Sequence, residues 1–306
     1  MTFPSAVLLS GADVVGIGAA TLDDLWAVAD FSDLEIVAPA LAYVQMGGGP
    51  VATALCVMAA LGNSAVLMDN VGDDLEGNSI LQGLGMAGVS TQGMRLVPGA
   101  RSARAVILVR GGDGARQIHY LPSTAGELHL DEEQVSLIRN ARLLHLNGRH
   151  EQAARKAVKA AREAGVAVSF DGGAGRYREE IRDLVIASEI RILSLEFARC
   201  FCGTVNLEGM MQQLLAPPAK LVVLTDGVRG CHVRSSDGEA FHQPAFAASP
   251  LVDTTGCGDV FHGAFLHGWL QQWSLEKCAG FASRMAARNA EGLGGRHVLA
   301  GGQVAE

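Results

Sequence analysis

Aromatic residues are scarce in this sequence, and long apolar runs are missing. Aromatic side chains make up 5% of the 306 residues, whereas hydrophobic residues as a whole make up 49%. A core must therefore be built mainly from Ala, Val, Leu and Ile, which suits helices packed over a buried sheet. No apolar run approaches the roughly 18 residues that a membrane helix needs, so we expect a soluble protein with no membrane partner.

Paired cysteines and an excess of positive charge are also missing. The six Cys residues show no C-x-x-C spacing and follow no secretory leader, which favours reduced thiols and a cytoplasmic protein. We expect Cys200 and Cys202 to be buried thiols rather than metal ligands. Lys plus Arg number 24 against 32 Asp plus Glu, a net charge of -8, which does not favour nucleic acid as a partner. A phosphate ligand must therefore be held locally.

Three common ligand motifs are absent or incomplete. No Gly-Lys dipeptide occurs, which excludes a P-loop. Gly16-Ile17-Gly18 follows a predicted strand but lacks the third glycine of a dinucleotide-binding turn, so a dinucleotide-dependent oxidoreductase is only a minor alternative. The nine His residues show no ligand cluster, and we assign them surface or packing roles.

The sequence does contain a regular alternation of short β-rich runs and longer helical runs from residue 63 onward. Strands are predicted at 65–71, 142–147, 166–171, 191–194 and 220–225, and helices at 75–87, 151–164, 177–187, 260–273 and 275–291. This alternation predicts an α/β fold with a mainly parallel central sheet. No Pro/Ser-rich linker interrupts it, so residues 1–306 are predicted to form a single domain.

Two segments depart from this alternation. Residues 35–45 and 103–121 look like extended strands, and the second segment folds back at Gly111-Gly112-Asp113-Gly114, which is a hairpin signal. Both contain polar residues that suit an exposed sheet better than a buried parallel strand. We predict a small β-sheet lid formed by about residues 22–46 and 101–122.

The strongest functional motif is the glycine-rich loop from Asp253 to Asp259, which leads directly into an apolar helical stretch. Glycines let the backbone approach a ligand, and the free N–H groups of a helix's first turn favour an anion. An acid at the end of such a loop would repel a phosphate unless it accepts a proton from an attacking hydroxyl. Asp259 is therefore a candidate general base, with a plain helix cap as the alternative.

A second glycine-rich motif, Gly47-Gly48-Gly49-Pro50, precedes another apolar stretch that begins at Val51. A Pro suits the first position of a helix, and the glycines before it let backbone amides face a ligand. A tight turn into a buried helix explains the Pro and one glycine. It does not explain three glycines.

Together these motifs resemble the PfkB, or ribokinase-like, family of carbohydrate kinases along essentially the whole chain. The resemblance implies a ribokinase-like three-layer α/β/α fold with a β lid over the sugar, and it implies ATP and Mg²⁺ as cofactors. In this family pattern Asp259 would deprotonate the acceptor hydroxyl. The backbone that would bind the γ-phosphate belongs to Gly256, Cys257 and Gly258.

The same resemblance implies the remaining site residues. Asp23 and the pair Gly48 and Gly49 match positions that bind the sugar. The family's T-x-G-x-x-G turn near the nucleotide begins at Thr225. The implied nucleotide-binding residues are Ser194, Thr225, Gly227, Gly230, Thr254 and Asn289.

Three positions depart from the family pattern. Thr53 stands where an Asn usually contacts sugar hydroxyls, and Cys257 stands where a small Ala or Gly is usual. The N-x-x-E element that organises magnesium becomes Ser194-Leu195-Glu196-Phe197, which leaves Glu196 as the candidate metal residue. These losses motivate a further alternative, a kinase-like binding protein that has lost catalysis.

Within the family, the motifs look most similar to the sulfofructose kinase branch. That branch implies Arg149 as the residue that meets an anionic head group of the sugar, because guanidinium pairs bidentately with sulfonate or phosphate. The branch's other two anion contacts fall on His119 and Val37, so its Lys is lost here. We also expect a homodimer through the lid, because exposed strand edges invite pairing.

Overall fold

The computed structural model describes residues 11–32, 35 and 37–300. The strands in these ranges are β1 (Val14–Ile17), β2 (Thr21–Val28), β3 (Ala42–Gly48), β4 (Ala65–Met68), β5 (Asn70–Gly72), β6 (Val89–Ser90), β7 (Arg95–Val97), β8 (Arg104–Arg110), β9 (Arg116–Leu121), β10 (Leu143–Leu146), β11 (Ala167–Gly172), β12 (Ile190–Ser194), β13 (Leu221–Thr225), β14 (Cys231–Ser235) and β15 (Ala240–Gln243). The α-helices are α1 (Pro50–Ala60), α2 (Leu75–Met86), α3 (Glu132–Arg139), α4 (Glu151–Glu163), α5 (Arg182–Ala187), α6 (Leu195–Cys202), α7 (Leu207–Leu214), α8 (Cys257–Leu270) and α9 (Leu275–Asn289).

A nine-stranded sheet runs through the centre of the molecule in the order β15-β14-β13-β12-β11-β10-β1-β4-β6. Its pairs from β13 through β6 are parallel, whereas β14 and β15 pair antiparallel at one edge. Two large apolar clusters of buried residues cover its two faces. The predicted α/β fold with a mainly parallel central sheet is confirmed, and helices on both faces make it three-layered.

A separate four-stranded sheet, in the order β3-β2-β8-β9, forms the lid. Its strands lie in or at the edges of the two predicted lid segments, and β8 and β9 pair antiparallel around the predicted hairpin. The strand predicted at 35–45 is wrong in its first half. Strand β3 begins only at Ala42, because Pro39 has no N–H to donate to a ladder. Residue 36 of that strand prediction, and residues 33 and 34 of the predicted lid segment 22–46, lie outside the described residues.

Two further strand predictions need correction. The strand predicted at 65–71 is divided at Asp69, whose carboxylate accepts the backbone N–H groups of Ala20 (2.8 Å) and Asn70 (2.8 Å). Those side-chain bonds replace ladder bonds, so β4 ends and β5 joins a different small sheet with β7. The sequence analysis also missed β14, whose residues alternate between buried and half-buried, and β15, whose residues alternate between exposed and half-buried.

Four of the five predicted helices agree with the structure to within three residues, whereas α5 begins five residues after its predicted start and α3, α6 and α7 were not predicted. Helix α8 begins three residues earlier than predicted, at Cys257, so the glycine-rich loop runs straight into it. Helix α1 packs on both the central sheet and α8. Among the described residues, none of the helices combines the length and apolar character needed to cross a bilayer.

Candidate active site

Helix α8 begins at the glycine-rich loop and has no side-chain cap. Gly256 occupies the N-cap position with φ 70°, a left-handed conformation that glycine adopts freely. A Cβ there would lie 2.3 Å from the Gly295 carbonyl oxygen, so only glycine fits. The first-turn amides of α8 therefore have no side-chain cap at the positive end of the helix dipole, so the predicted anion site stays possible there.

Asp259 lies in the first turn of α8 rather than at its N-cap, so the alternative that it merely caps the helix is wrong. Desolvation in the cleft raises the pKa of its carboxyl group, and nearby Asp171 raises it further. The guanidinium group of Arg176 and, more weakly, that of Arg116 oppose the shift. A carboxylate with a raised pKa is a better proton acceptor than an ordinary surface Asp.

A second carboxylate, Asp23, lies where the lid meets the central domain. Its Oδ1 accepts the Thr21 hydroxyl at 2.6 Å, and burial raises its pKa to about 6. Asp23 lies against the backbone of Gly48, where a Cβ would be only 1.9 Å from Asp23 Oδ2. Gly48 therefore has to be glycine for the carboxylate to occupy this position.

Gly49 is required for a different reason. It has φ 91°, and a Cβ would lie 2.0 Å from the Ala19 carbonyl oxygen. Pro50 follows at the first position of α1, as predicted for this turn. The motif therefore brings the β1–β2 connection, the end of β3 and the start of α1 into close contact.

The structure brings Asp23 and Asp259 into one cleft, since the charge of Asp259 contributes to the raised pKa of Asp23. Arg296, which the sequence analysis missed, lies between the two glycine-rich motifs. Its Nε donates to Thr53 Oγ1 (3.1 Å) and its Nη2 to the Gly48 carbonyl oxygen (3.0 Å). Thr53 is buried, and its predicted contact with the sugar stays a prediction.

Two more arginines reach this cleft and were not predicted. Arg116 of strand β9 donates to Thr254 Oγ1 at 2.6 Å, and that hydroxyl donates to the Gly114 carbonyl oxygen at 2.9 Å. The lid hairpin therefore contacts the anion loop through Thr254. Arg176 follows β11 and influences Asp259 electrostatically. Neither arginine stands in a motif, so only their tertiary position identifies them.

The predicted nucleotide-binding residues divide into two groups. Ser194 and Thr225 lie at the carboxyl ends of the adjacent parallel strands β12 and β13, directly opposite each other. Gly227 (φ 54°) and Gly230 (φ 92°) form the turn that follows β13. These four residues are neighbours at one edge of the sheet, which is where open α/β sheets bind ligands.

Asn289 differs from the predicted nucleotide contact because it is fully buried. Its Nδ2 donates to the Thr255 carbonyl oxygen (3.0 Å), and its Oδ1 accepts the N–H of Val298 (3.1 Å). Asp253 holds the same loop, since its carboxylate accepts the N–H groups of Thr255 and Gly294, both at 2.8 Å. Both side chains thus shape the anion loop from behind.

The candidate metal residue Glu196 is exposed in the first turn of α6, and its Oε1 accepts the Gly175 N–H at 3.2 Å. Ser194 caps the same helix, so its oxygen accepts the Phe197 N–H. A single exposed carboxylate fits Mg²⁺, because this ion keeps several waters and is usually bound by one or two carboxylates plus substrate phosphates. Glu196 is the residue that would hold it.

His119 does not lie on the same lid face as Asp23. In the lid register His119 pairs with Val106 and Asp24, whereas Asp23 pairs with Ala105. Successive strand residues point to opposite faces, so His119 points away from the Asp23 face. His119 therefore cannot contact a sugar that lies beside Asp23 of the same chain, which corrects the predicted substrate contact. Val37 is fully exposed beyond the lid strands.

Arg149 follows β10 and lines a cavity of about 300 Å³ together with Glu127, Arg155 and Arg178. Its Nε is buried and has no hydrogen-bond partner among the described residues. Arg155 and Arg178 are instead paired with acidic side chains. Arg149 is thus the one of these three guanidinium groups with an unused buried donor.

Two negative predictions about ligand clusters and thiols are corrected. His145 and His262 are buried and lie near Asp171, although no sequence spacing connects them. Burial lowers the pKa of His145 to about 3 and that of His262 to about 4, so both imidazoles are neutral. Cys200 is exposed on a helix rather than buried, although all six thiols are free as expected.

The G-x-G pattern at Gly16 has a packing role. A Cβ at Gly16 would lie 2.6 Å from Val51 Cγ1, and one at Gly18 would lie 2.6 Å from Val51 Cγ2. These glycines let α1 approach β1, so they are explained without a dinucleotide. The oxidoreductase alternative loses its only support.

The fold and this cleft define a class. A mainly parallel sheet, a small lid sheet and a carboxylate in the first turn behind a glycine-rich anion loop are the features of a small-molecule kinase. The chain belongs to the pfkB family of carbohydrate kinases, whose family model matches residues 12–299. It is a sugar kinase of the ribokinase and fructokinase type.

Individual relatives are similar along most of their length. The chain is 28% identical over 274 residues to the ATP-dependent ribose-1-phosphate kinase of Halopiger xanaduensis, covering 85% of this chain and 86% of that protein. It is 30% identical to fructokinase-1 of Oryza sativa subsp. japonica, covering 90% of each. The ribokinase of Arabidopsis thaliana, solved with ribose and ATP, shares the fold with a TM-score of 0.80 at 22% identity, covering 94% of this chain and 95% of that one.

Proposed function

We propose that the chain transfers the γ-phosphoryl group of ATP to a hydroxyl of a small sugar or sugar derivative, with Asp259 as the general base. The observation that carries this proposal is the position of Asp259, a desolvated carboxylate in the uncapped first turn of α8, in electrostatic contact with Asp23. One carboxylate faces the anion site and the other faces the sugar side. The whole chain, residues 1–306, would act as one kinase domain.

The sugar would be oriented at the lid base. Asp23 would accept hydrogen bonds from sugar hydroxyls, and the backbone of Gly48 and Gly49 would border the same side. Asp259 takes the proton of one sugar hydroxyl. The oxygen of that hydroxyl bonds to the γ-phosphorus, and the bond between the γ-phosphorus and the ADP oxygen breaks. Holding these groups in line supplies much of the rate acceleration.

Charge that develops on the transferred group needs positive partners. The amides of Gly256, Cys257 and Gly258 would form the anion hole, and Arg116 and Arg176 place guanidinium charge beside it. Mg²⁺, when bound, would neutralise part of the charge on the ATP phosphates. The ATP phosphates would lie toward Ser194, Thr225 and the turn at Gly227 and Gly230, with Glu196 nearest for the metal.

The Asp259→Asn variant tests the role of the base. We expect turnover to fall by roughly 100-fold or more, the scale of a lost general base, while ATP and sugar still bind. Steady-state ADP release and calorimetric binding measure the two quantities. The matched control is Glu276→Gln, which neutralises an exposed first-turn acid in α9 and should keep normal turnover. Normal turnover in Asp259→Asn would refute the assignment.

We also propose that the acceptor carries an anionic group, as sulfonated or phosphorylated ketoses do, and that Arg149 binds it. The unused buried Nε of Arg149 in a cavity of about 300 Å³ supports this, as does the similarity of motifs to the sulfofructose kinase branch. A guanidinium group pairs bidentately with sulfonate or phosphate groups.

A substrate panel tests this finer proposal with a matched pair of variants. Arg149→Ala should raise the KM for anionic ketoses by about 10-fold or more, because charge-assisted hydrogen bonds contribute about 1.5–3 kcal/mol, and should leave neutral sugars nearly unaffected. Arg155 lines the same cavity, and Arg155→Ala removes the same charge, yet it should change the KM of neither sugar class. Equal losses for both sugar classes would remove the role of Arg149. If no neutral, phosphorylated or sulfonated sugar gave ADP release while ATP still bound, the result would instead favour a binding protein that has lost catalysis.

A further inference from the structure

A cluster of three buried side chains lies near Asp259, and none of the three is assigned a ligand in the proposed reaction. His145 comes from β10, Asp171 from the adjacent strand β11, and His262 from α8, one turn after Asp259. Their exposed fractions are 0%, 2% and 4%. One nitrogen or carboxylate oxygen from each lies within 4.8 Å of those of the other two.

Each member of the cluster has a polar atom without a partner among the described residues: His145 Nε2, Asp171 Oδ2 and His262 Nδ1. The approach of His262 Nε2 to Asp171 Oδ1, 3.5 Å, is too long for a good hydrogen bond. Buried polar atoms are almost always paired, because desolvation without a partner is unfavourable. Three buried side chains that each have an unpaired polar atom, and that each place a ligand atom within 4.8 Å of the other two, indicate a missing ligand.

Hydrogen bonds around His145 leave its Nε2 free to bind a ligand. The Ser169 hydroxyl donates to the Leu144 carbonyl oxygen at 3.3 Å, so its oxygen accepts the proton on His145 Nδ1 at 2.8 Å. This arrangement leaves a lone pair on Nε2. A hydrogen bond to the second ring nitrogen is the usual support for a metal-ligating imidazole. The backbone N–H of Gly173 bonds to Asp171 in the same way.

We propose that His145, Asp171 and His262 form a site for one divalent transition-metal ion of the zinc type. Two neutral imidazoles and one carboxylate suit Zn²⁺ or Co²⁺, whereas Mg²⁺ prefers oxygen ligands and retains its waters. Ligand atoms about 2.0–2.2 Å from zinc lie roughly 3.5 Å apart. His262 Nε2 and Asp171 Oδ1 already have this separation, and no pair of ligand atoms in the cluster is more than 4.8 Å apart, so the movement needed is about 1 Å. A water would complete the tetrahedron.

The site is distinct from the magnesium that accompanies ATP. It needs no nucleotide, because all three ligands belong to the protein, and Glu196 is not among them. Metal binding can therefore be measured on the protein alone, without reference to kinase activity. The inference stands or fails independently of the proposed function.

Two other places on the molecule could bind the same ions and must be controlled. His232 and His242 face each other across β14 and β15 with ring centroids 4.6 Å apart, in a more exposed position. Cys200 is exposed and Cys202 is half-buried. The parent for the experiment is therefore the full chain with Cys200→Ser and Cys202→Ser, treated with chelator.

Titration of this parent with Co²⁺, followed by visible absorption, should show one bound ion with the spectrum of a tetrahedral site, and Zn²⁺ should displace it. His145→Asn and Asp171→Asn should weaken binding at least 100-fold. Ser169→Ala, which removes only the supporting hydrogen bond, should weaken it by about 10-fold or more. His242→Asn should bind as the parent does.

Melting temperatures still test the proposal if a variant of a metal-binding residue does not fold. Zn²⁺ should raise the melting temperature of the parent, because an ion that binds only the folded state stabilises it, and should raise that of Ser169→Ala less. No tetrahedral Co²⁺ spectrum in the parent would overturn the proposal and leave buried water as the ligand. Binding that is lost in His242→Asn but retained in His145→Asn would overturn it in favour of the exposed pair.

Discussion

At the scale of single residues, the two carboxylates of the cleft are chemically different from ordinary surface acids. Burial raises the pKa of Asp23 to about 6, and it also raises the pKa of Asp259. Burial desolvates both carboxyl groups. The difference matters for catalysis, since a base must be ionised at working pH and still attract a proton.

The pKa of Asp23 predicts a pH dependence of sugar binding. Ionised Asp23 accepts hydrogen bonds from sugar hydroxyls, so the KM for the sugar should rise as pH falls below about 6. Initial rates from pH 5 to 8 measure this. In Asp23→Asn the KM should be high throughout and nearly independent of pH. A KM that still rises below pH 6 in that variant would assign the titration to another group.

The raised pKa of Asp23 also makes the stability of the protein depend on pH. Between about pH 4 and 6 the folded state holds a proton on Asp23 that the unfolded state has lost. The contribution of Asp23 to the free energy of unfolding is therefore largest below about pH 4 and is lost as pH rises through about 6. Asp23→Asn should stabilise the protein more at pH 7.5 than at pH 4.5, by up to about 3 kcal/mol, in urea unfolding.

At the scale of elements, the start of helix α1 depends on backbone geometry that only glycine allows. Gly49→Ala should destabilise the protein by about 2 kcal/mol or more, because φ is 91° and the new Cβ would meet the Ala19 carbonyl oxygen at 2.0 Å. Urea unfolding measures the change. The loss of sugar binding should accompany it, since Gly48 and Asp23 adjoin this turn.

Gly83 in α2 provides the matched control for that substitution. It lies inside a helix, and nothing is within 4 Å of a Cβ built there. Gly83→Ala should therefore stabilise the protein by about 0.5–1 kcal/mol and leave kinase activity unchanged. If both alanine variants had the same effect, the argument from local geometry would be wrong.

The lid is the element that the sequence described least well in detail. Alternating polar and apolar residues with a glycine-rich hairpin predicted its presence. The start of β3 was misplaced, and the face of His119 could not be known without the register between β8 and β9. Register depends on which lid face packs over the cleft, which is a tertiary property.

At the scale of the whole molecule, the outer lid face exposes Trp26, Tyr43 and Val106 side by side. Contiguous exposed apolar residues on a sheet mark an interaction surface, which supports the expected homodimer. We expect the unmodified chain to sediment as a dimer and the double variant Trp26→Lys and Val106→Lys to sediment as a monomer. Ile186→Lys, an exposed apolar residue on α5, should remain dimeric. A monomeric unmodified chain would contradict the expectation.

The residues alone were enough to predict the α/β class, the glycine-rich loop from Asp253 to Asp259 that leads into a helix, and the turn at Gly48 and Gly49, whereas Asp23 came only from the family resemblance. These features depend on local chemistry, since a glycine conformation, a helix start and a strand period are each encoded within a few neighbouring residues.

The tertiary structure alone decided which distant residues meet. Arg116, Arg176 and Arg296 reach the cleft from separate elements, and Asn289 and Asp253 fold behind the loop. His145, Asp171 and His262 converge across 117 positions of the chain without any spacing that a motif search could detect. Such groups are assembled by strand order and helix packing, and only the folded chain brings them within reach of one another.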